Sequence, residues 1–151
     1  MQHLDIDYVE EVVERLYAIP GDAVPKWGQL RKDALIRHLI WALRHSMGRS
    51  QKVPYMGNWF TERLIGPVII NGWLPMPRNI HLPRHLRDQG VVAEEPGDLE
   101  TLHAVLEEYC NLVQADELVP APHPAFGHIG VDGWDRVHVL HFEHHLRQFD
   151  A

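Results

Sequence analysis

One cysteine, Cys110, stands in 151 residues. A lone thiol excludes an intrachain disulfide and fits a reducing compartment. Basic runs are absent too, and the formal net charge is -7 with histidines neutral. That balance argues against a large electrostatic footprint for nucleic acid or an anionic membrane surface. The longest apolar stretch, LIGPVIINGWL, is too short to span a bilayer and is broken by Gly66, Pro67 and Gly72. There is no internal repeat, no low-complexity tract and no strand pattern of useful length. The N-terminal MQHLDIDYVEEVVERLY is acidic and periodic, unlike a secretory leader. These absences lead to an expectation of a cytoplasmic protein with neither a nucleic-acid nor a membrane partner.

What is present is helical periodicity. Apolar content is 45%, ordinary for a globular chain, and the length suits one domain over residues 1–151. Leu4 to Tyr17 repeats apolar residues every three or four positions, as a helix with one buried face does. A second helix is expected from Leu30 to Met47, stopped by Gly48. GNWFTERLIGPVIINGWL reads as a short helix interrupted near Pro67, and LPMPRNIHLPRHLRDQG as an extended excursion. Asp98 is placed to cap a third long helix reaching Gln114 on Leu99, Leu102, Leu106, Tyr109 and Val113. Cys110 falls within it and reads as a small core residue. The last helix is expected from Gly133 to Phe149 with Asp132 as its cap. Four long helices define an all-α fold, a four-helix bundle with a long crossover between helices two and three.

The chain holds twelve histidines, four of them between His138 and His145. On a helix, residues four apart stack on one face with Cβ atoms ~5–6 Å apart. His141 and His145 have that spacing, so their imidazoles can converge on one metal ion. At 100° per residue His138 shares their sector, while His144 is turned away. His138 lies too far along the axis to chelate together with His145. A third ligand must come from another helix. His38, in the middle of the apolar stripe ALIRHLIWAL, is the better candidate there. His45, seven residues on, is an alternative acid or base facing the same cavity, or a helix-end histidine. Trp41 and Trp134 either line a pocket beside the site or pack the core, and His138 is a further pocket candidate. Glu107 or Glu108 is placed to orient a ligating imidazole. His81 and His85 repeat the four-residue spacing, but Pro83 between them breaks a helix. His123 and His128 border Pro124 and Gly127 and read as loop-ordering residues. Arg147 and Gln148 read as bridges between helices.

The end of the chain, HPAFGHIGVDGWDRVHVLHFEHHLRQF, resembles the C-terminal signature of the DinB-like (YfiT-like) metal-dependent superfamily. It is most similar to a branch described only as a domain of unknown function. The matching residues are His123, Pro124, Phe126, Gly127, Trp134, His141, His145, Arg147 and Gln148. Upstream, Trp27, Gly28, His38, Leu39, Ser46, Met47 and Gly48 match that branch's second helix and its approach. The resemblance covers most of residues 26–149. It implies a four-helix bundle, often a homodimer, that holds a divalent metal (zinc or nickel, with iron a third choice) on His38, His141 and His145. Similar families include S-transferases that use a low-molecular-weight thiol and a mycothiol-dependent maleylpyruvate isomerase, so a transferase or hydrolase of small molecules is implied. Two departures stand out. HHLRQ replaces the HHRGQ of the better-known relatives, and the Ser or Thr that usually caps helix two is missing, leaving Gln29 or Asp33. The competing expectation is a non-catalytic metal- or ligand-binding stress protein. A third is a metal-free bundle whose histidines bond only one another.

Overall fold

The computed structural model describes residues 2–50, 56–77 and 95–151. Among these residues the protein is all helical, with no strand beyond an isolated antiparallel bridge between His123 and Gly127. The helices are α1 (Ile6–Ala18), α2 (Lys32–Ser46), a short α3 (Gly66–Ile70), α4 (Leu99–Gln114) and α5 (Gly130–Arg147). His81 and His85, with most of the proline-rich excursion, lie outside the described residues.

Helix ends follow local chemistry, with two departures from expectation. Asp5 caps α1 by accepting from Tyr8 N at 2.9 Å, and Asp98 caps α4 by accepting from Thr101 N at 2.8 Å. The start of α2 has no side-chain cap, so neither Gln29 nor Asp33 plays that part. Asp33 instead sits in the first turn, where a negative charge complements the helix dipole. Gly48, at φ +72°, turns the chain out of α2 as a left-handed glycine does. The start of α5 is earlier than Asp132 suggests: the cap position is Ile129, and Asp132 lies inside the first turn. Pro67 does not break α3 but stands in its first turn. The irregularity comes before it, as a π-helical turn over Thr61–Ile65.

The apolar stripes meet in one core. Val9, Val12 and Leu16 of α1 pack with Leu35, Leu39, Ile40 and Leu43 of α2, Leu102, Leu106 and Tyr109 of α4, and Phe142 and Leu146 of α5. Cys110 belongs to this core, and burial pushes its thiol up to about 11. It is a packing residue rather than a nucleophile.

A charged clamp draws α1 against α5. Arg15 donates from Nη1 and Nη2 to the two Glu143 carboxylate oxygens at 2.8 and 3.1 Å, and Tyr8 Oη–H donates to Glu143 Oε1 at 3.0 Å. Bidentate charge-assisted bonds of this kind outlast simple surface pairs. Glu143→Ala is therefore expected to lower the unfolding free energy by about 1–2 kcal/mol. The urea midpoint reads this, and Arg15→Ala added to that variant should cost much less than it does alone.

Candidate metal centre

One face of α5 carries the polar rings. Trp134, His138, His141, His145 and Gln148 follow one another in steps of three or four residues, which confines them to a sector of about 80°. The opposing face of α2 presents His38, Trp41 and His45. The structure brings His38, His141 and His145 together: His38 Nε2 lies 2.8 Å from His141 Nε2, and His145 Nε2 lies 3.0 Å from the same atom. All three nitrogens fall within 4.8 Å of one another. Ring centroids are 4.8 Å apart for His38 and His141, 5.1 Å for His38 and His145, and 4.7 Å for His141 and His145.

Counting protons shows what this arrangement needs. Gln148 Nε2–H donates to Trp27 O, which leaves Gln148 Oε1, an acceptor, facing His145 Nδ1 at 2.6 Å; the proton then belongs on Nδ1 and the bare lone pair on His145 Nε2. A proton on His141 Nε2 can be directed at His38 or at His145, not squarely at both. A proton on His38 Nε2 would satisfy the first contact and leave two lone pairs facing each other across the second. Neutral imidazoles therefore cannot satisfy both contacts. Extra protons are expensive, because burial, and then the neighbouring imidazoles, hold the His38 ring down at about 3. Burial likewise lowers His141 far below the ordinary histidine range, and lowers His145 to about 4. The trio is neutral at pH 7, which is the ligating form, and a shared cation satisfies three lone pairs at once. A tetrahedral metal with nitrogen bonds of roughly 2.0–2.1 Å spaces its ligand nitrogens by about 3.3 Å. The observed 2.8 and 3.0 Å lie within about half an ångström of that spacing. His145 is buried and His38 and His141 are half-buried as residues, with rings packed deeply enough that burial is the main cause of their lowered values.

The other candidates separate from the trio to different degrees. Trp41 stacks on His38 with centroids 6.2 Å apart, and its buried indole N–H has no hydrogen-bond partner among the described residues. His45 is buried rather than a surface residue: Nε2–H donates to Pro122 O at 3.4 Å, and Nδ1 pairs with Ser50 Oγ at 3.1 Å. With both nitrogens engaged, it has none to spare for the trio. Trp134 and His138 stack on each other at 5.2 Å, and Trp134 Nε1–H donates to Ala121 O at 2.7 Å. His138 Nε2 pairs with Ser46 Oγ at 2.8 Å, and Ser46 itself donates to Leu43 O. His123, ordered by the Ala125 and Phe126 N–H groups on its Nδ1, closes this second ring cluster against Trp134. It is the loop-ordering residue that its sequence context suggested.

Glu107 and Glu108 do not orient the trio. Glu107 stands 3.7 Å from His103, and Glu108 pairs with Arg49. His103 also meets Glu10 at 3.1 Å, forming a second group of metal-ligand type on the outer surface. Both of its carboxylates are exposed to solvent, and exposed acidic groups of this kind are common without an ion. Arg147 is exposed, whereas Gln148 does join separate parts of the chain. Its contact with His145 was not legible beforehand; the only local hint was an amide three residues beyond a ligand. Two surface grooves of about 530 and 620 Å³ lie elsewhere, one along α2 and α4 and the other between α3 and the start of α5. Neither is lined by the trio.

Fold and site together define an all-helical protein with three convergent histidines of metal-ligand geometry. Over residues 1–151 the chain matches the family described as "Protein of unknown function (DUF1569)", and it belongs to that family. No curated protein and no solved structure matches it. No helix among the described residues is long and apolar enough to cross a membrane.

Proposed function

We propose that the protein binds one divalent transition-metal ion through the Nε2 atoms of His38, His141 and His145, and that it is a transferase or hydrolase acting on small molecules. The observation that carries the metal site is the meeting of three Nε2 lone pairs that neutral imidazoles cannot satisfy among themselves. Imidazole nitrogens suit zinc, nickel and iron alike. When bound, such an ion supplies Lewis acidity and lowers the pKa of a coordinated water or thiol.

Three protein ligands leave at least one coordination position for an exogenous group, the pattern of catalytic rather than structural sites. The half-buried positions of His38 and His141 are consistent with access by a small molecule, with a low-molecular-weight thiol as the favoured co-substrate. Trp41 supports it too, since its indole N–H, on the ring stacked against His38, has no acceptor among the described residues. The reading extends to a DinB-like four-helix bundle that forms a homodimer in the cytoplasm; the all-helical architecture and the lone buried thiol are consistent with it. A second reading, a metal-binding protein without turnover, is favoured by the lining of the two grooves, which among the described residues does not include the trio.

Elemental analysis of untagged protein tests the site. One equivalent of metal per chain is expected in the wild type and in His103→Ala, with none in His38→Ala or His141→Ala. Wild-type protein that takes up no metal even after reconstitution would overturn the proposal. Titration of the cobalt(II)-loaded protein with small thiols then separates the two readings. A new thiolate-to-cobalt absorption band is expected for the transferase, and an unchanged spectrum across thiols and small electrophiles favours the protein without turnover.

A further inference from the structure

Gln148 closes α5 and is only 4% exposed. Both ends of its amide are used. Oε1 accepts from His145 Nδ1–H at 2.6 Å, and Nε2–H donates to Trp27 O at 3.0 Å. Its backbone carbonyl accepts from Lys26 N at 2.7 Å. The loop between α1 and α2 thus grips one residue twice, through a side chain and through the main chain. Gly28 makes the close approach possible. Its φ is +76°, and a Cβ there would stand 2.9 Å from Gln148 Nε2, so a larger residue would meet both strain and a clash. Trp27 also sets its ring edge-on to His144, with centroids 6.0 Å apart.

The polarity of this chain of bonds runs one way. A backbone carbonyl only accepts, so Trp27 O turns the Gln148 NH₂ toward itself and the Gln148 oxygen toward His145. That oxygen also only accepts, so His145 must carry its proton on Nδ1. The bare lone pair is then on Nε2, facing His141.

We propose that Gln148 is a positioning residue. Together with the Trp27–Gly28 turn it selects the His145 tautomer and ring orientation, and so sets the metal affinity of a site to which the turn contributes no ligand. The inference rests on the metal-binding reading above. A partner that orients a ligating histidine typically changes metal affinity by about 10–100-fold. A glutamine that only fastened the helix end to the loop would leave the tautomer free and would affect stability alone.

Two measurements test it. In the metal-free wild type, long-range ¹H–¹⁵N correlation of the imidazoles should show His145 as the Nδ1–H tautomer; an Nε2–H tautomer would overturn the inference whatever the metal does. Zinc affinity, from competition with a chromophoric chelator, is then compared in Gln148→Leu and Gln148→Glu. Gln148→Leu should bind zinc about 10–100-fold more weakly. Gln148→Glu keeps an acceptor facing Nδ1 while losing the donor to Trp27 O, so it should recover most of the wild-type affinity. Equal weakening in both variants would mean that the link to Trp27 alone matters, and would overturn the positioning role. If Gln148→Leu does not fold, Gln148→Glu and the wild-type tautomer decide. The expected tautomer in a protein that binds no metal at all would sink the metal reading and leave the orientation of His145 intact.

Discussion

Zinc at a thousandfold excess over its dissociation constant should raise the unfolding free energy by about 4 kcal/mol, and His141→Ala should abolish the increment. His141 is the sensitive position because its Nε2 is the atom that both other rings approach, at 2.8 and 3.0 Å. Binding to the folded state alone stabilises that state by mass action, so the unfolding midpoint should climb with free zinc in the wild type and stay level in the variant. The metal-free comparison has a separate expectation. Cutting a buried side chain to alanine ordinarily costs about 2–5 kcal/mol. Here the lost nitrogen faces two others that cannot all be satisfied, so the cost without metal should fall below that range. Paired urea titrations with and without zinc measure both quantities. An increment that survives in His141→Ala would place the binding elsewhere, with the group of exposed Glu10 and Glu107 around half-buried His103 as the first alternative.

The second large effect is acid sensitivity of the metal-free protein. Burial is the largest cause of the lowered imidazole values: about 3 for His38 and His138, about 4 for His123 and His145, and far below the ordinary range for His141. The unfolded chain binds these protons near pH 6.5, while the folded chain resists them to much lower pH. Between those limits the unfolded state holds more protons, so stability falls as pH falls. The contribution is complete above about pH 6.5 and is lost on descending through about pH 4 for His123 and His145 and about pH 3 for His38 and His138. Each such imidazole adds up to about 1.4 kcal/mol per pH unit to the slope. Several acting together can exhaust a typical stability of about 5–15 kcal/mol before most carboxylates protonate. Cooperative unfolding near pH 5 is therefore expected, monitored by circular dichroism at fixed low urea. Zinc should move the transition to lower pH, since the ion competes with protons for three of the rings. A metal-free protein with level stability from pH 7 to 4 would show that these histidines are not held neutral by burial.

Much of the helical framework could be read directly from the chain. Leu99, Leu102, Leu106 and Tyr109 announce α4, and Asp98 caps it by a bond to a residue three positions away. The start of α5 misled for a similarly local reason. Asp132 is a good capping residue by type, but the helix is already under way at Gly130 and Asp132 falls in its first turn. His141 and His145 could be paired because their relation is one turn of helix. His38 could be suggested because an imidazole in the middle of an apolar stripe points toward neighbours. Glu107 and Glu108 show where this reasoning stops: both lie on the right kind of helix, yet they pair with His103 and Arg49. His45 could be located near the end of α2, but its commitment to Ser50 and Pro122 could not.

By itself the sequence determined the long helices, their apolar stripes and the two imidazoles stacked on α5, because each depends on residues within a turn or two of one another. Only tertiary packing decided that the His38 ring meets that pair, that His138 and Trp134 form a cluster of their own, and that the loop near Trp27 reaches Gln148 across more than a hundred residues. The physical reason is range. A helix's hydrogen bonds and side-chain stacking act over a few residues, while the destination of a ring's proton depends on groups that become neighbours only when separate helices close around a common core.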